Sequence, residues 1–292
     1  MSLSNHGHTH DRDDSRNELE RADQMMTRLP SLARSARRIG VALLAGAVLA
    51  GGVKAADVPT MELEADMGFD VLRKGRPLGS HRIAFTRDGD KLIVDVDIAL
   101  KAKFAFITVY RYRHHNREVW QDGRLVAIDT RTDDNGKSFT VSGRATPDGF
   151  AVTRTDQDGA QTEVVEETII PTSYWHPATT DQSRLLNTQT GRIAELTIEP
   201  TGADTVAFPN VDVPATGYAT TGDIRLSLWY DAERCFLKLA FTAPGDGALI
   251  DYRVAEHLRG RHDPELVDDP LIGRCVGHRA AIAERRAGPA TP

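Results

Sequence analysis

Long apolar runs, cysteines and clustered basic residues are all scarce in this chain, and each scarcity excludes something. A bilayer-spanning helix needs about 20 apolar residues; the uncharged apolar segment 39–53 (IGVALLAGAVLAGGV) is shorter. Only two cysteines occur, Cys235 and Cys275. Neither lies near residue 55, which excludes lipid attachment at a new N-terminal cysteine. In an oxidising compartment the two could pair or remain apart, and the spacing leaves both open. The segment 1–55 carries 8 basic and 6 acidic residues, which leaves 28 and 36 beyond it, a net charge of about −8. An acidic domain without a Lys/Arg cluster argues against nucleic acid or an anionic membrane surface as partner. No phosphate-cradling loop, zinc-ligand spacing, dinucleotide fingerprint or Gly-x-Ser-x-Gly elbow is found, so the sequence calls for no cofactor, no metal and no catalytic residue.

What is present at the N-terminus has the order of a secretory signal. Residues 1–38 form a polar leader and basic region, with Arg34, Arg37 and Arg38 directly before the apolar segment. Residues 39–55 supply that segment and the small-residue cleavage site around Val53-Lys54-Ala55. The expectation is cleavage near Ala55, a mature N-terminus at Ala56 or Asp57, no integral span in the mature chain, and a periplasmic or secreted location. Met25 or Met26 would place the start at the usual distance from such a signal. His6, His8 and His10 alternate in the leader, where nothing orients them as metal ligands.

The mature chain reads as all-β. From Leu92 to Phe106 every even position is apolar, while Asp95, Asp97, Lys101 and Lys103 fall on odd ones; period two over that length is a strand with one buried face. Asp88-Gly89, Asp122-Gly123, Asn135-Gly136, Asp148-Gly149, Asp158-Gly159 and Asp246-Gly247 are hairpin punctuators. Strands are expected at 62–74, 77–87, 91–106, 108–120, 124–133, 137–146, 150–156, 161–170, 191–200, 223–230, 235–242 and 248–254. Joined by tight turns, they must pair antiparallel. The domain 57–254 is therefore a long antiparallel meander that cannot stay flat with an apolar face in water; it curls into a half-barrel, a barrel or a sandwich. Residues 171–187 (PTSYWHPATTDQSRLLN) form a short loop or helix lid, and 201–222, rich in Pro, Gly and Thr, reads as a long loop. The tail 255–292 differs in texture and carries one candidate helix at 276–286.

On the strand after 106, Tyr110, Tyr112, His114 and Trp120 share one parity and Arg111, Arg113, His115 and Arg117 the other. The first set faces the core, so His114 and His115 cannot both reach one ion. Ser173, His176 and Asp181 are the residue types of a hydrolytic triad within one loop, without the strained elbow that such a nucleophile uses. Asp95 with Asp97 and Glu166 with Glu167 read as solvated faces, not as glycosidase pairs.

Three segments carry a family resemblance: FDVLRKGRPLGSH from Phe69 to His81, PTSYW from Pro171 to Trp175, and LSLWYD from Leu226 to Asp231. The chain from about 65 to 254 resembles an uncharacterised family of exported bacterial proteins, a domain of unknown function. The resemblance implies an envelope-located all-β domain and no activity. More distantly, such domains look like periplasmic lipoprotein-carrier half-barrels, which hold an acyl chain on a concave face.

The function expected is a non-catalytic module that binds an apolar or amphiphilic, lipid-like envelope molecule. Its wall would be Phe104, Phe106, Tyr110, Tyr112 and Trp120, and its lid Tyr174, Trp175 and His176. Trp120, Tyr174 and Trp175 are expected to gather at one mouth of the sheet as a gate. The alternatives are a structural or interaction module whose partner is an envelope protein and, third, a hydrolase using Ser173 and His176.

Overall fold

The computed structural model describes residues 67–104, 107–166, 168–208, 211–243, 246–255, 266 and 269–275. The leader, the apolar segment, the cleavage site, Phe106 and the expected helix at 276–286 lie outside the described residues. Of Phe104 only the backbone is described.

Fifteen strands follow in chain order: β1 (Met67–Arg73), β2 (Arg76–Asp88), β3 (Lys91–Phe104), β4 (Ile107–Gln121), β5 (Arg124–Asp134), β6 (Lys137–Thr146), β7 (Gly149–Asp156), β8 (Gly159–Val165), β9 (Ile170–Pro171), β10 (Arg184–Leu186), β11 (Ile193–Phe208), β12 (Val211–Gly222), β13 (Ser227–Tyr230), β14 (Phe236–Thr242) and β15 (Leu249–Val254). A single 3-10 turn, Pro177–Asp181, lies between β9 and β10. The turn chemistry explains the reversals. Asp122 and Gly123 have φ of 50° and 74°, and Asn135 and Gly136 of 51° and 94°. Two successive positive φ values make the tight hairpin connection whose twist matches the flanking strands.

Every neighbouring pair is antiparallel except the short pairing of β9 with β10. The sheet runs β8 through β1, then β15 through β9, with β1 joined to β15 by the register Phe69↔Val254 to Arg73↔Ile250. Its two outermost strands, β8 and β9, are consecutive in the chain, only residues 166–169 apart. Laid flat, fifteen strands would separate those edges by about 65 Å, whereas so short a link reaches about 17 Å. The sheet therefore curls until its edges meet, an antiparallel barrel-like body that backbone hydrogen bonds leave open at the seam between β8 and β9.

The inward faces carry the core. The even residues of β3 (Leu92, Val94, Val96, Leu100) are buried, as are Ile83 and Phe85 of β2 and Phe69 and Val71 of β1. In β4 the inward parity is a mixed stripe of Tyr110, Tyr112, His114, Asn116, Glu118 and Trp120, all buried.

Two expectations change. The segment 201–222 is not a loop but the outer part of β11 and all of β12, paired from Leu196↔Gly222 to Phe208↔Val211. Its prolines and glycines mislead because the ladder absorbs them: Pro200 and Gly202 flank a register shift, and Pro214 sits where β12 has β11 on one side only, since β13 joins at Thr216. This hairpin builds a small second cluster from Val206, Val213, Ala215 and Leu237. The strand expected at 161–170 ends at Val165, and Ile170–Pro171 crosses to the opposite edge. The described part of the tail is fastened to the barrel: Cys235 and Cys275 form a disulfide, Leu266 and Ile272 are buried, and Arg87 pairs with Asp269 at 2.6 Å.

Candidate ligand-binding cavity

Strand register sets the inner wall in rungs. His81 of β2 faces Ile98 of β3, which faces His114 of β4, which faces Thr132 of β5. One rung away lie Ile83, Val96, Asn116 and Thr130; on the other side lie Gly79, Leu100, Tyr112 and Asp134. Two strand spacings put His81 and His114 about 10 Å apart with Ile98 between them.

From these rungs His81, Val96, Ile98, Leu100, Tyr112, His114 and Asn116 line one side of an interior cavity of about 220 Å³. Leu239 and Phe241 of β14 and Tyr252 of β15 line another side, and 172–174, 187–189 and 223–226 cover it. Arg225 within the last segment is exposed, so the cavity approaches solvent there. The wall is apolar at Val96, Ile98, Leu100, Leu226 and Leu239, and polar at His81, His114, Asn116 and Gln189.

Several of these polar groups are buried without a partner among the described residues. Both ring nitrogens of His81 and Oδ1 of Asn116 make no hydrogen bond. His81 is wedged between Phe69 (5.6 Å between ring centres) and Tyr252 (5.7 Å). Burial, reinforced by His114 and Arg82, lowers its pKa to about 3, so the ring is neutral, with one N–H and one lone pair to offer. His114 is held by Thr132 Oγ1 at 2.8 Å from Nδ1, and burial lowers it to about 4. Tyr112 donates to Gln189 Oε1 at 3.1 Å, and Tyr110 to Asp134 at 3.1 Å.

Behind the cavity lies a carboxylate that sequence reasoning missed. Glu118 is completely buried. Its Oε2 accepts from the indoles of Trp120 and Trp175, each at 2.9 Å, and its Oε1 accepts from Asn116 Nδ2 at 2.7 Å. Burial raises the Glu118 carboxyl above its ordinary value, and the donated hydrogen bonds oppose that rise. The arrangement pins the 173–176 loop to β4. It also fixes the Asn116 amide: with its NH₂ on the carboxylate, its Oδ1 is the atom left over.

The eight candidate wall and lid residues therefore fall into groups. Tyr112 and Tyr174 line the cavity; Tyr110 is buried beside Asp134. Trp120 and Trp175 meet edge to face at 5.3 Å, with His176 stacked on Trp120 at 4.8 Å. That cluster is core: both indoles are 2% exposed and neither lines the cavity, so they form a plug packed beside it. The side chains of Phe104 and Phe106 lie outside the described residues. Tyr174 is the lid residue proper, held at a positive φ of 61° with its carbonyl accepting from Tyr230 at 2.7 Å.

A Ser173, His176, Asp181 relay is not assembled. His176 Nδ1 accepts from the Ala178 amide at 3.1 Å, so the neutral ring carries its proton on Nε2 and has no lone pair left for a serine hydroxyl. Burial lowers its pKa to about 4. Asp181 instead pairs with Arg234 at 2.7 Å. On β4, His114 points inward while His115 faces solvent and contacts Asp97 at 3.1 Å.

The family profile described as a domain of unknown function, DUF6134, matches residues 69–255. The chain belongs to the DUF6134 family. The cavity and the Glu118 plug are both built from residues within that DUF6134 match. No curated protein matches the chain. Among solved structures it is similar to a β-barrel-like protein of another domain of unknown function, DUF1849, from Brucella abortus. The two share 11% identity and a TM-score of 0.46, over 65% of this chain and 94% of that one.

Proposed function

We propose that the DUF6134 domain of this chain is an exported, non-catalytic module that holds a small amphiphilic molecule in its interior cavity. The observation that carries this reading is the cavity itself: apolar on one part of its wall, and on another lined by residues, His81 and Asn116, that carry buried polar atoms without partners. A folded protein rarely leaves such atoms unsatisfied without a use for them. Its size limits the guest. A dry cavity of about 150 Å³ takes a benzene, so about 220 Å³ suits a ring or a short chain with a polar end. Export is supported by the basic, apolar and small-residue order of residues 34–56, and by the Cys235–Cys275 disulfide, a bond that persists in oxidising compartments.

Native mass spectrometry of the mature protein from the periplasm, followed by titration with short amphiphiles, tests this reading. A bound species lost in Ile98→Trp, which fills the middle of the cavity wall, supports it; equal binding by that variant overturns it. A second reading, an interaction module, draws on the β11–β12 hairpin, whose residues 203–208 and 211–215 pair with each other alone. Deleting 201–216 would then abolish capture of an envelope partner and leave small-molecule binding intact.

A further inference from the structure

The chemistry of the cavity goes further than its size, and it narrows the ligand class on the binding reading proposed above. We infer that the cavity selects a neutral amphiphile whose hydroxyl or primary amide enters first, and that it rejects a carboxylate of the same chain length.

The Asn116 amide is the first reason. Because Nδ2 donates to Glu118 Oε1 at 2.7 Å, the unpaired buried Oδ1 is an acceptor by construction. It can be satisfied only by something that donates a proton. His81 is the second. Its two unpaired nitrogens, in a ring held between Phe69 and Tyr252, amount to one donor and one acceptor. A hydroxyl or an NH₂C=O group is donor and acceptor at once, so it can donate to Asn116 Oδ1 and it can equally exchange a hydrogen bond with a ring nitrogen of His81.

A carboxylate cannot do this. It has no proton to give, so it would meet the Asn116 carbonyl oxygen as one acceptor against another, with the Glu118 carboxylate directly behind. Among the cavity-lining residues the arginine is Arg225, exposed in the covering segment and therefore at the solvent end. An anion bound there would point its chain inward and leave Asn116 Oδ1 and His81 facing hydrocarbon, the arrangement that buried polar groups disfavour most. An ammonium fares no better: it can donate to Asn116 Oδ1, but it has no acceptor to offer the His81 N–H and gives up the hydration of a full charge on burial. A neutral donor–acceptor head is the group left.

The test is a matched series on the full mature chain at pH 7: 1-hexanol, hexanamide, hexanoate, hexylamine and hexane, each titrated by amide NMR shifts. The expected order places 1-hexanol and hexanamide about tenfold or more tighter than hexanoate, hexylamine and hexane. His81→Phe keeps an aromatic ring between Phe69 and Tyr252 but removes both nitrogens. It should fold, as a retained thermal midpoint at pH 7 would show, and the preference for 1-hexanol over hexane should shrink several-fold. Hexanoate binding as tightly as 1-hexanol would overturn the inference while leaving a ligand cavity standing. An undiminished preference in folded His81→Phe would also overturn it. If no member of the series shifts any resonance, both the binding reading and this inference fail.

Discussion

Replacing Glu118 by leucine removes a carboxylate while nearly keeping its volume, and the structure fixes what is then stranded. Three buried N–H donors lose their acceptor: Nδ2 of Asn116 and the indoles of Trp120 and Trp175. Each unsatisfied donor costs about 1–3 kcal/mol. Three such donors amount to about 3–9 kcal/mol, and the desolvation of the carboxylate, which disappears with it, offsets several kcal/mol of that, leaving a net of about 3–5 kcal/mol. At about 2–4 °C per kcal/mol for a domain of this size, the thermal midpoint should fall by about 10 °C. Glu118→Gln should fall between leucine and wild type. Its oxygen can still take both indoles, but its NH₂ confronts Asn116, whose amide must turn round. Urea unfolding followed by circular dichroism gives the ranking. A leucine variant as stable as wild type, or a glutamine variant less stable than leucine, would refute the view that this carboxylate holds the 173–176 loop down.

Three further outcomes follow from geometry. Gly136→Ala places a Cβ in open space but at φ of 94°, so its cost of about 1 kcal/mol is purely conformational, and an unchanged urea midpoint would refute the turn assignment. Cys235→Ser opens a loop of 40 residues and should lower stability by about 4 kcal/mol under oxidising conditions, with no difference from wild type once both are reduced. Histidine linkage has a definite sign. His81 titrates near 6.5 unfolded and at about 3 folded, so its contribution is present above pH 6.5 and lost as pH falls toward 3. The stability gap between wild type and His81→Phe should therefore stay flat above pH 6.5 and shift against wild type by about 1.4 kcal/mol per pH unit below it; a gap constant to pH 4.5 would mean that His81 is solvated.

Much of this architecture was legible because period two and hairpin glycines are local signals. Leu92, Val94 and Val96 declare their face by alternation alone, and Asn135-Gly136 declares its turn by needing two positive φ values. The β11–β12 hairpin was hidden for the opposite reason. Composition marks Thr201–Gly202 and Pro214 as breakers, and only the partner strand shows that a register shift and a half-open edge accommodate them. Within the cavity, Asn116 and Glu118 carried a readable sign: they share the even parity of Tyr112, His114 and Trp120, so a carboxylate was due inside. The other half of the wall had none, because Gln189, Leu226 and Leu239 come to share a cavity with His81 only through long-range closure of the sheet.

The pairing of β1 with β15 sets the order in which the molecule can be made. Strands β1 to β8 are sequential hairpins that form as the chain emerges, but the free edge of β1 waits for residues 249–254, nearly the last of the domain. Until they arrive, a nascent chain presents Phe69 and Val71 on a strand with one open edge, the configuration most prone to pairing with a neighbour. Folding is thus gated by a single late latch of very high sequence separation, which predicts slow, chaperone-sensitive maturation. A product truncated before residue 249 is consequently not a smaller domain but an open-edged template for aggregation.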